Sequence, residues 1–183
     1  MAKTAIFLAD GFEEIEALTV VDLLRRAGIE ITTASIMGRK SVEGSHKITV
    51  EADALLEDLD FESFDMLILP GGMPGTTNLD NCAPLKAQIQ KFADAGKLLA
   101  AICAAPTVYG GMGLLKGKKA TCYPGREGDL TGAEVQTTEV VKDGNFITSR
   151  GMGTAIPFGL AIIEQFQGEK AAKDMAKKIV YNH

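Results

Sequence analysis

Apolar residues along the chain follow two different spacings. Three short runs are continuously apolar, Ala5–Ala9, Met66–Leu69 and Leu98–Ile102, and Ile29–Ile36 is a fourth candidate. Runs of this kind lack the alternation of a half-exposed strand and are typical of strands that are covered on both faces. Segments with helical spacing lie between them. The pattern therefore predicts an α/β fold with a doubly wound, mainly parallel sheet and helices on both faces.

The helical segments have recognisable ends. Acidic residues open the first of them, and arginines followed by Gly28 close it. The predicted helices are Glu13–Ala27, Pro84–Ala95, a segment from Phe158 to Gly168, and Ala171–Ile179. His46–Ala52 and Glu139–Ser149 are predicted as antiparallel additions, the second with a hairpin turn at Asp143-Gly144. Since no repeat or linker interrupts the pattern, we expect one domain over residues 1–183.

Composition narrows the class of protein further. The 183 residues include 46% hydrophobic and 23% charged residues, with a net charge of −5. This balance excludes a disordered chain and gives no electrostatic footprint for nucleic acid or an anionic membrane. The first apolar stretch is short and acids follow it at once, so we interpret it as a strand rather than a signal peptide and expect a cytoplasmic location. The three cysteines and two histidines show no zinc-ligand spacing, and we expect neither a metal nor a cofactor.

Polar and reactive groups follow the predicted parallel strands, where ligands bind in open α/β sheets. Acidic residues follow the first strand, the glycines Gly71 and Gly72 follow the second, and Cys103 follows the third. Small residues surround Cys103, and Pro106 suits the first turn of a helix. We therefore predict a strained strand-to-helix elbow, as in the nucleophile elbow of hydrolases, with the thiol pKa lowered by the helix dipole. Gly71 and Gly72 would present amides to an oxyanion.

Glu16 is the most informative carboxylate in the chain. We expect Glu13 and Glu14 to be solvent-facing charges at the helix start, whereas the neighbours of Glu16 are apolar. An apolar setting raises a carboxyl pKa and lets the acid donate a hydrogen bond. Two interpretations stay open: a functional acid beside Cys103, or a third solvated acid of the helix.

Four motifs in order resemble the ThiJ/PfpI superfamily, and within it the protein-deglycase branch. They are Asp10-Gly11-Phe12-Glu13-Glu14-Ile15-Glu16, Leu69-Pro70-Gly71-Gly72, Ala100-Ala101-Ile102-Cys103-Ala104-Ala105-Pro106 and Thr148-Ser149-Arg150-Gly151-Met152-Gly153-Thr154. The resemblance covers essentially the whole chain. It implies a flavodoxin-like fold of the class I glutamine amidotransferase type and a homodimer.

The resemblance also implies roles for individual residues. Cys103 would be the reactive cysteine, Glu16 its protonated hydrogen-bond partner, and Gly72 and Ala104 the donors of the oxyanion hole. Arg26 would lie near the partner's site. The family's activities include deglycation of proteins, cofactor-free conversion of methylglyoxal to lactate, protection against oxidative stress and chaperone-like holding.

Two departures from the family pattern affect the expected chemistry. Protease-like members carry His after the cysteine, where this chain has Ala104, so a peptidase loses its general base. Tyr123 replaces a His that the branch often has near the thiol, and a phenol is a poor base at neutral pH. His46 stands where the branch tends to have a cation near the dimer edge, and a solvated histidine is the simpler interpretation. Cys122 is either a resolving thiol for Cys103 or a packed strand-end residue.

Two functions therefore remain open from the sequence. The first is a cofactor-free, cysteine-dependent deglycase or glyoxalase whose substrate is a small carbonyl compound or a glycated protein. The second is a redox-responsive, chaperone-like stress protein whose Cys103 oxidises to a sulfinate. We also expect a homodimer, because Ile15, Leu18 and Leu23 fall outside the main apolar face of their helix.

Overall fold

The computed structural model describes residues 1–182. Its strands are β1 (Lys3–Leu8), β2 (Glu30–Ser35), β3 (Ser41–Glu43), β4 (Thr49–Glu51), β5 (Ala54–Leu55), β6 (Met66–Leu69), β7 (Leu98–Ile102), β8 (Lys119–Ala120), β9 (Glu134–Val135), β10 (Val140–Asp143) and β11 (Phe146–Ser149). Its α-helices are α1 (Glu14–Arg26), α2 (Gly75–Asp80), α3 (Ala83–Asp94), α4 (Pro106–Gly111), α5 (Ala155–Gln167) and α6 (Glu169–Lys178).

The central sheet has seven strands in the order β10-β11-β7-β6-β1-β2-β5. All neighbouring strands are parallel except β10, which runs antiparallel to β11 at one edge. The doubly wound, mainly parallel sheet predicted from the apolar runs is confirmed, and so is the flavodoxin-like fold that the family resemblance implies. The prediction for Glu139–Ser149 was half wrong, because β11 pairs in parallel with β7 and only β10 is an antiparallel addition.

The chain changes direction across the sheet between β1 and β6. From β1 it proceeds to β2 on one side, and it then returns to build β6, β7 and β11 on the other. The connections that leave β1 and β6 therefore diverge and open a crevice at the carboxyl ends of the strands. The segments Asp10–Glu16 and Pro70–Gly75 both begin at this crevice.

Successive strand residues enter two separate apolar cores. On β1, Ile6 and Leu8 belong to a core that is closed by α1, α5 and α6. Ala5 and Phe7 belong to a second core, closed by α3 and α4. This alternation follows from the pleat of a strand, and it explains why the strands read as continuously apolar.

The segment predicted as an antiparallel addition over His46–Ala52 lies outside the main sheet. β3 and β4 form a two-stranded antiparallel ladder of their own, and His46 lies in the turn between them. This ladder lies against the start of α1, because the Gly11 N–H donates to the carbonyl of Glu43 at 2.8 Å. Over residues 1–182, no helix has the length and apolar character that a membrane crossing requires.

Candidate active site

Cys103 lies at the elbow between β7 and α4. Its φ of 66° is left-handed, a conformation that costs a non-glycine residue of order 1 kcal/mol or more. Two hydrogen bonds hold the residue in place: its N–H donates to Ser149 at 3.0 Å, and its carbonyl accepts from Tyr123 N at 2.7 Å. The predicted strained elbow is confirmed, because Pro106 begins the helix only three residues after the thiol.

Glu16 reaches the elbow from the first turns of α1. Its side chain accepts a hydrogen bond from the N–H of Gly71 at 2.9 Å and another from the Cys103 thiol. Burial raises the pKa of Glu16 from 4.5 to about 7, and the nearby charge of Glu13 adds to the rise. The two hydrogen bonds oppose it. Of the two interpretations that the sequence left open, the structure supports the buried acid beside Cys103.

The pKa of the Cys103 thiol is shifted in the opposite direction to the one predicted. Burial raises it to about 12, and the charge of Glu16 and the hydrogen bond to it add to the increase. The prediction of a lowered pKa relied on a helix dipole, but α4 has only six residues and begins beyond the thiol. Burial, together with the neighbouring carboxylate, therefore outweighs the donors that lower the pKa of the thiol, and Cys103 needs a base to take its proton.

The two glycine amides in the turn after β6 have different acceptors: Gly71 donates to Glu16, and Gly72 donates to Cys103. The amides of Gly72 and Ala104 donate to the Cys103 sulfur and lower its pKa. The amide of Gly71 is already used by Glu16. The sequence interpretation of Gly71 as an oxyanion donor was therefore wrong, while Gly72 and Ala104 lie where an oxyanion beside the sulfur would form.

A cavity of about 520 Å³ opens over the thiol. Tyr123 lines the cavity and is half exposed. The cavity therefore has a phenol where related proteins often have a histidine. Sequence reasoning missed two charged residues of the lining, Glu13 and Arg150. Identifying β11 as a parallel strand would have found Arg150, because that residue follows the carboxyl end of β11 at the same rim. The full lining is Glu13, Glu16, Cys103, Tyr123, Pro124, Arg150, Gly151, Met152, Gly153 and Thr154.

Arg26 and His46 do not line this cavity within one chain. Arg26 is exposed, pairs with Asp22, and lies at the end of α1 in a groove that α5 and α6 help to form. His46 is 69% exposed, and its Nδ1 lies 3.2 Å from Glu14 Oε2 and 3.5 Å from Glu13 Oε2. The interpretation of His46 as a merely solvated residue is therefore incomplete.

The prediction of a solvent-facing Glu14 was wrong. Glu14 is 4% exposed, and its Oε1 accepts hydrogen bonds from the backbone N–H of His46 at 2.8 Å and of Ile48 at 3.5 Å. Burial opposes ionisation, but these bonds and those from its own amide and the His46 ring outweigh it and lower the pKa of Glu14. The hairpin between β3 and β4 supplies donors that the sequence around Glu14 does not contain.

The other two thiols do not line the cavity. Cys122 is buried in the core closed by α3 and α4, whereas Cys103 packs against the core on the opposite face of the sheet. Burial raises the pKa of Cys122 to about 11. Its placement favours the packed strand-end interpretation over a resolving thiol.

Comparison with known proteins gives consistent matches. A profile described as the DJ-1/PfpI family matches residues 2–165. Protein dj-1beta of Drosophila melanogaster is 38% identical, with 98% of each chain covered. The structure named "Toxoplasma gondii DJ-1, oxidized" superposes with a TM-score of 0.96 at 35% identity and 100% coverage of both chains.

Two further relatives differ in length or name. Protein DJ-1 homolog B of Arabidopsis thaliana is 41% identical over 97% of this chain, but the chain spans only 41% of that protein's length. A protein of Thermococcus kodakarensis named "Deglycase TK1284" is 36% identical, with 82% of this chain and 91% of that protein covered.

Proposed function

The chain belongs to the DJ-1/PfpI family, and from this premise we propose that it is a cysteine-dependent, cofactor-free deglycase or glyoxalase. Its substrates would be α-dicarbonyl compounds or their early adducts on proteins, and its role would be protection against carbonyl and oxidative stress. One observation carries the proposal: the hydrogen bond between a buried carboxyl whose pKa is about 7 and the thiol of a strained elbow cysteine. The name of the Thermococcus relative supports the same class of activity.

Glu16 acts as the general base for the thiol in the first step. The Cys103 thiol has a raised pKa, so it reacts when the Glu16 carboxylate takes its proton as the sulfur attacks. A bond forms between the sulfur and the aldehyde carbon, and the π electrons of the carbonyl move to its oxygen. The Gly72 and Ala104 amides stabilise that oxygen, and the protonated Glu16 then gives it a proton. The product of this step is a hemithioacetal.

The second step is an internal rearrangement of the bound hemithioacetal. Glu16 removes the proton from the sulfur-bearing carbon, and a proton returns to the neighbouring carbon, which converts the ketone to an alcohol and leaves a thioester. Water hydrolyses the thioester, so methylglyoxal and water give lactate without an external oxidant or reductant. A pKa near 7 suits a group that must both accept and donate a proton at neutral pH.

The lining of the cavity fits a small carbonyl compound. A volume of about 520 Å³ holds one such molecule, and Arg150 supplies a cation at its edge. One Nη of Arg150 donates to the carbonyl of Thr137 at 2.9 Å, which fixes the side chain beside the substrate. Among residues 1–182 no histidine lines the cavity, and Ala104 follows the cysteine, so peptidase chemistry is disfavoured.

The test is lactate formation from methylglyoxal by the wild type and by Cys103→Ser. We expect the substitution to lower kcat/KM by more than about 100-fold, because a hydroxyl is a far weaker nucleophile than a thiol. Cys122→Ser is the matched control, since Cys122 is buried in the core closed by α3 and α4 and does not line the cavity, and it should keep the wild-type rate. Equal rates for the wild type and Cys103→Ser would refute the proposal.

A second function, peroxide sensing through Cys103, is favoured by the same donors. Two equivalents of hydrogen peroxide convert the thiol to a sulfinic acid and are reduced to water. Protonated Glu16 would then bind one sulfinate oxygen, and the Gly72 and Ala104 amides would bind the other. A closely similar structure carries the word "oxidized" in its name. Peptide mass mapping after limiting peroxide should find two added oxygens on Cys103 before any on Cys82 or Cys122.

We also propose that the functional form is a homodimer that uses α1. Ile15 is 48% and Leu18 37% exposed on this helix, and both would be covered by a second copy. The sequence also assigned Leu23 to this surface, but Leu23 is buried within the chain against Gly159 of α5 and is not part of it. Leu18→Asp should convert the dimer to a monomer in light scattering at micromolar concentration, and a monomeric wild type would contradict the proposal.

A further inference from the structure

We propose that Glu13, Glu14 and His46 form a binding site for a divalent cation of the zinc type. The three residues come from two elements, because both carboxylates stand at the start of α1 and the imidazole stands in the turn between β3 and β4. One ligand atom from each lies within 4.8 Å of the other two. Glu13 also lines the Cys103 cavity, but cation binding at these three residues needs neither the thiol nor the activity proposed for it.

The distances between the donor atoms fit a tetrahedral metal ion. His46 Nδ1 lies 3.2 Å from Glu14 Oε2 and 3.5 Å from Glu13 Oε2. Zinc bonds to nitrogen and carboxylate oxygen of about 2.0–2.1 Å place two ligands of a tetrahedron about 3.3–3.4 Å apart. The imidazole nitrogen therefore stands at the separation of metal ligands from both carboxylates, and without a metal the same distances serve a hydrogen bond to Glu14 and an ion pair with Glu13.

The Ser45 hydroxyl lies beside all three donor atoms. Its Oγ lies 3.0 Å from His46 Nδ1, 3.2 Å from Glu13 Oε2 and 3.3 Å from Glu14 Oε2. This hydroxyl, or a water molecule in its place, completes a four-coordinate shell. The three protein ligands and one neutral position resemble the ligand count of sites that keep an exchangeable position.

The negative charge of the cluster is complementary to a cation. Glu14 is almost fully buried and Glu13 is partly buried, and the ion pairs found within residues 1–182 give neither of them a lysine or arginine. Lys47, next along the hairpin, pairs with Glu43 instead. Backbone and side-chain donors already stabilise the Glu14 carboxylate, and a divalent cation bound at its Oε2 would neutralise the negative charge that the two adjacent carboxylates carry.

Hydrogen bonds to the second oxygen of Glu14 preorganise the site. Glu14 Oε1 is fixed by the backbone N–H groups of His46 and Ile48, which leaves Oε2 directed at the imidazole. Hydrogen bonds to the non-ligating atom of a ligand orient it and reduce the entropy lost on binding. The mixture of imidazole nitrogen and carboxylate oxygen favours zinc over calcium or magnesium, which prefer oxygen ligands alone.

The experiment is a calorimetric titration of zinc chloride into the full chain that carries Cys103→Ser. This background removes the thiol that would compete for zinc near Glu16. We expect one equivalent of zinc to bind, and His46→Gln or Glu13→Gln to weaken the affinity at least about tenfold. Lys47→Gln is the matched control: the residue is adjacent and exposed but lies outside the donor set, and its affinity should equal that of the background.

Cobalt(II) gives an independent readout of the ligand set. Bound at Glu13, Glu14 and His46, it should show tetrahedral d–d absorption without a sulfur charge-transfer band, in the wild type and in Cys103→Ser alike. Zinc binding that disappears with Cys103→Ser, survives His46→Gln unchanged, or is absent from every variant would overturn the proposal. Circular dichroism of each variant separates lost binding from lost folding.

Discussion

Glu14 and Glu16 stand two residues apart on α1, and both are almost completely buried, yet they belong to regions with opposite chemistry. Glu14 faces the hairpin of β3 and β4, where backbone amides and His46 surround it and its pKa is lowered. Glu16 faces the elbow, where Gly71 and Cys103 are its donors and its pKa rises to about 7. Burial raises the pKa of Glu16 more than its two donors lower it, whereas the donors around Glu14 together outweigh the effect of burial, so the balance between burial and donors sets the charge of each carboxyl.

The two regions share one more feature, a glycine that makes room for the acid. A Cβ on Gly44 would collide with the Glu14 carboxyl, and a Cβ on Gly71 would lie 2.6 Å from both Glu16 Oε2 and Cys103 Cβ. Each carboxyl thus packs directly against a glycine backbone. In the hairpin this close contact lets backbone donors stabilise a charge, whereas at the elbow it keeps the carboxyl and its proton close to the Cys103 sulfur.

Removing the titrating proton at the elbow should have the largest effect. Glu16→Gln keeps the shape and a donor to the sulfur but cannot take the thiol proton. We expect kcat/KM for lactate formation to fall by about 10²–10⁴-fold, the range typical of a lost general base. The wild-type rate should also rise with pH through about 7, as Glu16 becomes the carboxylate, and this rise should be absent from the variant. A variant as active as the wild type would place the base elsewhere.

The same substitution should stabilise the fold at alkaline pH. The pKa of Glu16 is higher in the folded chain than the ordinary value of 4.5, so the folded state binds the proton more tightly. The stability from this group is complete below about pH 4.5 and is lost as the pH rises through 7. Glu16→Gln removes that loss, and at pH 8 its free energy of unfolding should exceed that of the wild type by about 3 kcal/mol. Urea denaturation across pH 4–8 measures the difference, and a less stable variant at pH 8 would contradict it.

Gly44 and Gly71, which adjoin Glu14 and Glu16, allow a matched test of the two regions. Gly44→Ala and Gly71→Ala should each lower the free energy of unfolding by about 1–3 kcal/mol, the usual cost of overpacking. Their effects on activity should differ, because only Gly71 adjoins the Cys103 side chain. We expect Gly71→Ala to lose most of the lactate activity and Gly44→Ala to keep it when both are assayed well below their melting temperatures. Equal losses of activity would show that the two regions act as one.

The smallest effect is expected at Glu14. Glu14→Gln replaces a charged acceptor with a neutral one and turns an amide group toward Ser45 and His46, which should cost about 1 kcal/mol at pH 7. The pKa of Glu14 is lowered, so its contribution is present above pH 4.5 and fades as acid protonates it. The gap between variant and wild type should therefore close at low pH, opposite to the trend for Glu16→Gln. A gap that persists at pH 3 would assign the effect to packing.

The parts of the fold that sequence patterns predicted well are those governed by local rules. The bounds of β6 and β7 were predicted from their continuous apolar runs, and the elbow at Cys103 from its small neighbours and Pro106. The pairing of β11 with β7 was missed because the hairpin signal is local, while the choice of neighbour depends on the whole sheet. Local chemistry at the site was predicted in the same way, through the apolar setting of Glu16.

The errors concern interactions between residues far apart in the chain. The burial of Glu14 depends on donors 32 and 34 residues away in the hairpin. The raised pKa of Cys103 depends on burial and on Glu16, which lies on a different helix. Arg150 lines the cavity because β11 is parallel to β7 and ends at the same edge of the sheet. A sequence pattern cannot supply these charges and donors, because their positions exist only after the sheet has formed.

The burial of Cys122 has a consequence for the kinetics of oxidation. A cysteine that has gained one oxygen is rescued when a second thiol attacks it, and the Cys122 thiol, which is 1% exposed and packed in the core closed by α3 and α4, is poorly placed to make that attack. The fate of the singly oxidised sulfur then becomes a race between small thiols of the surroundings and a second molecule of peroxide. The yield of sulfinate should therefore follow the concentration ratio of peroxide to free thiol, so the protein would respond to that ratio rather than to peroxide alone.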